Sequence, residues 1–361
     1  MVTVGITKPS RAIAKEVWAG WFSSLMEAYN MAIYSFAAPF LAPILFKGVS
    51  PTIAIFFSYS LVFIGFCLFY PAGAIYYGFL GDKKGRRKTC SYSALGLAIA
   101  TGMMGLIPID FLGNYAWICF LILICAQYFF SGGEYHGSIV FSLEHAEKTQ
   151  SGLMSGVSCL FAVFGLVAAN GLTTLSSQVV FYIGFFGGII SYFVKNHCKE
   201  TPAFTSIREE VGQCNWVTLL KKRWRRIGGG VLLLSFFVVI YSFLFIFLPA
   251  TQTANFNTFT SLIAYGFLLV IAGIVSDRFG IGKVMAVGAG LVALLLLPLF
   301  YFFQNLFLIQ IILTIFASLC IGPIHTWLNL QFEVHERCRG IFVASAIAYS
   351  LFGGSTVPIC L

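Results

Sequence analysis

Long apolar runs separated by short polar breaks make up almost the whole chain. Eleven runs read as helices, at roughly 17–46, 52–80, 89–108, 115–142, 152–175, 178–195, 227–250, 256–276, 284–303, 305–330 and 341–361. Most hold about 20 residues or more, the length of a helix that crosses the hydrocarbon core of a bilayer. The first, second and fourth are longer. They are expected to tilt, to bend at Pro39, Pro43 or Pro71, or to extend into water.

The polar breaks carry the charge, and its placement orients the chain. Of the 22 Lys and Arg residues, all but Lys47 fall before the first run or after an even-numbered one. A miscounted span would scramble this pattern. The basic side is the cytoplasmic side by the positive-inside rule, so the N-terminus is predicted inside. Lys8, Arg11 and Lys15 precede a first span read as an uncleaved anchor. The same placement excludes nucleic acid as the reason for the net charge of +9. Composition agrees: 59% of residues are hydrophobic, 10% are charged, and the mean hydropathy is +0.89. A soluble domain carries about 25% charged residues, so lipid is the expected main solvent. The ten cysteines include no C-x-x-C pair and no zinc ladder, and read as apolar packing residues. No cofactor is expected. No H-E-x-x-H, G-x-S-x-G or paired buried Asp points to an enzyme.

Two polar breaks repeat. Gly78-Phe79-Leu80-Gly81-Asp82-Lys83-Lys84-Gly85-Arg86-Arg87-Lys88 shares its Gly, Asp, base, Gly and Lys with Gly273-Ile274-Val275-Ser276-Asp277-Arg278-Phe279-Gly280-Ile281-Gly282-Lys283, at a constant offset of 195 residues. Leu143-Glu144-His145 with Gly152 pairs more weakly with Phe332-Glu333-Val334 with Gly340. The repeat predicts an all-α membrane protein of two parallel six-helix bundles, 1–195 and 227–361, joined by a basic linker at 196–226. Parallel halves of this kind suggest a transporter with a midplane site between them. The counterpart of the sixth span falls near 373–390, past Leu361. The second bundle is therefore expected to be incomplete, with about 11 spans in all.

The Gly78–Lys88 segment resembles the loop signature of the major facilitator superfamily. Glu27-Ala28-Tyr29-Asn30 with Ile33-Tyr34 is similar to the first-span motif of its metabolite:proton symporter family. So are Gln127 with Gly132-Gly133-Glu134-Tyr135, Gly137 and Glu144, then Glu200-Thr201-Pro202-Ala203-Phe204, and finally Glu333, Arg339 and Phe352-Gly353-Gly354 near Pro358. The likeness spans about residues 15–361. It implies that Gly78, Asp82, Lys83, Gly85, Arg86, Arg87 and Lys88, with Asp277 and Arg278, latch the two halves and gate their movement. That family includes carriers for proline and glycine betaine, citrate, α-ketoglutarate and shikimate. The chain departs from the pattern at Asn30, where Asp is usual, near Ile124, where Arg is usual, and at His136, where Gly is usual.

Of 13 acidic residues, Glu27 and Glu134 fall well inside predicted spans. An ionised carboxylate there needs a cavity, a partner or a proton. Glu27 and Asn30 share one helical face, and Gln127, Ser131, Glu134 and Ser138 form a stripe at the same spacing. The two stripes are expected to converge at a central cavity, with Glu134, joined by Glu27, exchanging protons. Tyr34, His136 and His325 complete the candidate solute and proton site. His136 is a candidate partner of Glu134. No Lys or Arg is expected at comparable depth. A dicarboxylate needs such a counter-charge, so a zwitterionic or neutral solute is favoured. The expected activity is proton-coupled symport by alternating access in a bacterial inner membrane, with solute, proton and bilayer as partners. An organic-acid symporter and a non-transporting, sensor-like membrane protein are the alternatives.

Overall fold

The computed structural model describes residues 15–172, 175–207, 216–248, 258–302 and 305–353, with no strand among them. Gly354, Pro358, Lys8, Arg11 and the middle of the basic linker lie outside the described residues.

The first part comprises α1 (Lys15–Leu45), α2 (Pro51–Ile64), α3 (Tyr70–Lys84), α4 (Arg86–Gly105), α5 (Ile109–Leu112), α6 (Ala116–His145), α7 (Ser151–Gly171) and α8 (Ser177–Asn196). A π turn, Gly65–Phe69, joins α2 to α3. It sits just before Pro71, whose missing N–H cannot continue the regular ladder. Then come α9 (Pro202–Ser206), α10 (Trp216–Ser242), α11 (Thr258–Phe279), α12 (Ile281–Phe302), α13 (Leu306–Ile321), α14 (Ile324–Gln331) and α15 (Arg337–Ala348). Further π turns follow α10 and α15, at Phe243–Phe247 and Tyr349–Gly353.

Nine helices among the described residues are long and apolar enough to cross a membrane. The third and eleventh predicted spans correspond to α4 and α15, which fall outside that set; α4 opens on Arg86-Arg87-Lys88 and is the more polar for it. The tenth span is split at Gly322–Pro323, where proline again removes a donor. The seventh starts earlier than predicted. Its basic residues Lys221 to Arg226 are helical, because Arg223 is held by Glu333 and Glu336 and Arg226 donates to the Gln331 carbonyl.

Packing divides the helices into two groups. In the first, α4 packs on α6 and α8, and α1 on α6, α7 and α8. In the second, α13 packs on α11 and α12, and α10 on α15. The groups meet along two seams, α3 with α15 and α7 with α11. The α7–α11 seam is close because Gly152 and Gly273 touch backbone to backbone: a Cβ on Gly273 would lie 2.3 Å from the Gly152 carbonyl oxygen. Large apolar side chains such as Phe40, Leu68, Phe186, Leu232, Leu294 and Leu297 face outward. That surface suits lipid and not water.

Candidate functional site: a buried polar core and a two-sided latch

The two predicted stripes come together inside the first group. Ser131 on α6 donates to Glu27 on α1 at 2.5 Å. Gln127 donates to the Asn30 carbonyl at 2.6 Å and to Thr101 on α4 at 2.9 Å. Tyr34 is buried, its ring 5.8 Å from that of Phe120. The polar faces of α1 and α6 thus meet, because their polar residues recur at three- and four-residue spacing.

Glu134 has a partner that the sequence did not lead us to expect. Lys195, at the end of α8, reaches inward and forms an ion pair with it, both side chains at most 1% exposed. This corrects the expectation that no Lys or Arg lies at depth. Counted by position, Lys195 belongs to the basic loop, but its long apolar stem lets the ammonium travel away from its own Cα. The pair is enclosed by hydroxyls: Ser23, Ser93 and Ser138 donate to the carboxylate, and Lys195 also donates to the Cys90 carbonyl. Ser23, Ser93 and Thr101 were likewise missed, since single hydroxyls in apolar runs give no signal of their own.

His136 does not pair with Glu134. It points to the contact between the groups, its ring 5.5 Å from His325 on α14 and 5.6 Å from Tyr349 beyond α15. Both its ring nitrogens are buried with no hydrogen-bond partner among the described residues. The Tyr135 hydroxyl lies 3.4 Å from the His325 ring nitrogen Nε2. Tyr70, Phe66 and Phe342 complete an aromatic layer shared by both groups. Two π turns meet in this layer, one on each side: Cys67 contacts the Ser350 carbonyl, and Phe66 packs near Tyr349.

The repeated loops form the latch. Asp82 accepts from the backbone N–H groups of Cys338 and Arg339, both at 3.0 Å, and from the Arg339 guanidinium. Asp277 accepts from the N–H groups of Gly152 and Leu153 at 2.7 and 2.8 Å. Each aspartate therefore caps the first turn of a helix in the other group, α15 and α7, where unpaired N–H groups and the helix dipole favour an anion. Gly78 lies under Phe342 and Arg339, where a side chain would crowd α15. Gly85 and Gly280 turn the chain with φ of 100° and 97°, a backbone that suits glycine.

The first latch has extra ties. Arg86 is fully buried, 3.5 Å from Asp82 and 3.3 Å from Glu144, and donates to the Val334 carbonyl across the seam. Glu144 also pairs with Arg337 at 2.6 Å. Glu200 caps the start of α4 through the N–H groups of Arg86 and Arg87 at 3.0 and 3.1 Å. The Phe204 ring stacks 5.1 Å from the Arg86 guanidinium. Arg87 donates to the Asn196 and Cys198 carbonyls. Lys83, Lys84, Lys88 and Arg278 are exposed.

The Major Facilitator Superfamily model matches residues 20–358. The chain is 26% identical to a proline/betaine transporter of Escherichia coli strain K12, over 94% of this chain and 76% of that protein. It is 24% identical, with the same coverage, to a glycine betaine/proline/ectoine/pipecolic acid transporter of Dickeya dadantii. Among solved structures, a proton:xylose symporter superimposes with a TM-score of 0.70 at 17% identity, covering 96% of this chain and 88% of that one. A human organic anion transporter gives 0.69 at 13% identity, covering 96% and 93%. The chain is a multi-pass membrane protein and belongs to the Major Facilitator Superfamily.

Proposed function

We propose that this protein is a secondary transporter that moves a small zwitterionic or neutral solute of the proline or betaine type together with a proton. Two halves, 1–195 and 227–361, rock about the aromatic layer between them, and the linker at 196–226 tethers them. The observation that carries this reading is the reciprocal latch. Each half closes on the other through one aspartate and one helix start, which makes a seal that can part without unfolding either half. The relatives, transporters of proline and betaine, supply the solute class. The basic loops support a cytoplasmic N-terminus and insertion in a bacterial inner membrane.

The buried Lys195 does not shift the choice toward a dicarboxylate, because Glu134 already neutralises it. Glu27 is the better proton carrier: its neighbour is a hydroxyl, which can donate to the carboxylate or accept from the acid. Protein reconstituted in liposomes tests both parts. Counterflow of labelled proline or glycine betaine is expected, and its absence for both solutes overturns the transport reading. Glu27→Gln is expected to abolish accumulation driven by a pH gradient; accumulation that survives this change removes Glu27 from the coupling step.

A further inference from the structure

The Glu134–Lys195 pair is saturated. The Lys195 ammonium has three acceptors, one for each proton: the Glu134 carboxylate, the Cys90 carbonyl at 2.9 Å and Ser138 Oγ at 3.3 Å. The carboxylate accepts from Ser23, from Ser93 at 2.7 Å and from Ser138 at 2.9 Å besides. Ser191 Oγ, 2.7 Å from Ser23 Oγ, extends the cluster along α8. All partners lie on α1, α4, α6 and α8, so the whole cluster belongs to one half.

Glu27 is built differently. Ser131 is its hydrogen-bonding partner, and no cation stands within ion-pair distance of it among the described residues. The charged groups that act on it are Glu134 and Lys195, and its own charge acts in turn on Tyr70, Tyr128, Tyr135 and Tyr349. Lys195 is the cation of that set, and Glu134 holds it.

We infer, resting on the transport reading above, that the Glu134–Lys195 pair stays ionised throughout the transport cycle and thereby confines proton exchange to Glu27. A proton on Glu134 would strand the ammonium in a site from which water is excluded, and breaking a buried pair by removing one partner's charge is strongly unfavourable. A proton on Glu27 forms one O–H bond, leaves no charge behind and only reverses the sense of one hydrogen bond. Lys195 is thus a positioning residue. It acts through Glu134 and keeps a second carboxylate out of proton traffic.

The test uses the full chain in liposomes, with proline and glycine betaine as probes and an imposed pH gradient. The double variant Glu134→Gln/Lys195→Met is expected to keep accumulation and a pH profile with one limb. Lys195→Met alone is expected to add a second limb, because Glu134 then has no cation. A role in packing alone would give no second limb. A double variant that retains counterflow but loses accumulation makes Glu134 the proton carrier and overturns the inference. Should that variant fail to fold, the exchanged pair Glu134→Lys/Lys195→Glu carries the same expectation.

Infrared difference spectra of the detergent-solubilised protein between acid and neutral pH supply a readout that does not require transport. A carboxyl band that Glu27→Gln removes and the double variant preserves supports the inference, even if no counterflow is found. A band lost in the double variant overturns it.

Discussion

Gly85 and Gly280 occupy equivalent turns, yet their surroundings differ. A Cβ on Gly85 would lie 2.2 Å from the Glu200 carboxylate, whereas one on Gly280 meets nothing within 4 Å. Both substitutions by alanine incur backbone strain of about 1–3 kcal/mol, but only Gly85→Ala also displaces the cap on α4. Gly85→Ala is therefore expected to lower the thermal unfolding temperature in detergent more than Gly280→Ala does. Equal shifts would remove Glu200 from the account. At this scale the sequence was readable where a backbone rule applied. Glycine and aspartate at a fixed offset pointed to the two loops whose aspartates cap helices across the seams, whereas the shared bases Lys83 and Arg278 stay exposed. It was unreadable where a long side chain chose its own direction. Lys195 stands at the edge of a basic segment, and nothing local says that its ammonium turns inward to meet the Glu134 carboxylate, the Cys90 carbonyl and the Ser138 hydroxyl.

Among elements, the latch is a matter of helix ends. Asp82 satisfies N–H groups that open α15, and Asp277 does the same for α7. Loss of one such cap costs about 0.5–2 kcal/mol, and the buried Arg86 and Arg339 around Asp82 raise the cost on that side. Cys338, buried at the start of α15, reports on it. Asp82→Asn is expected to speed labelling of Cys338 by a membrane-permeant maleimide, read by peptide mass spectrometry, and Asp277→Asn to do so less. An unchanged rate in Asp82→Asn would separate that aspartate from the seal. Hydrophobic runs made the spans legible, but not their interruptions. The π turn before Pro71 follows from a missing donor, while those at Phe243–Phe247 and Tyr349–Gly353 contain no proline and gave no warning.

For the whole molecule, the sequence repeat led us to expect two parallel halves, and the placement of basic residues led us to expect one face toward the cytoplasm. An impermeant amine reagent tests the orientation. Lys83, Lys84 and Lys88 are exposed on one side and Lys47 on the other. In sealed cells Lys47 is expected to react and the other three to react only in inverted vesicles; the opposite pattern would invert the topology. Less legible was the difference between the surroundings of Glu27 and Glu134. Both are carboxylates in apolar runs, and only the assembled core separates the one with a hydroxyl from the one with an ammonium.

The crossed latch has a further consequence. Surfaces that each offer one carboxylate and one helix start make an isologous contact, the kind that joins identical copies about a twofold axis. Here a single chain plays both copies, so the copies are free to diverge, and they have. Ile281 stands at the position equivalent to Arg86, so the Asp277 edge lacks the buried guanidinium that braces the Asp82 edge. A lopsided twofold joint does not open evenly. It is expected to peel from the weak edge and pivot on the strong one, which gives the rocking of the halves a direction as well as an amplitude.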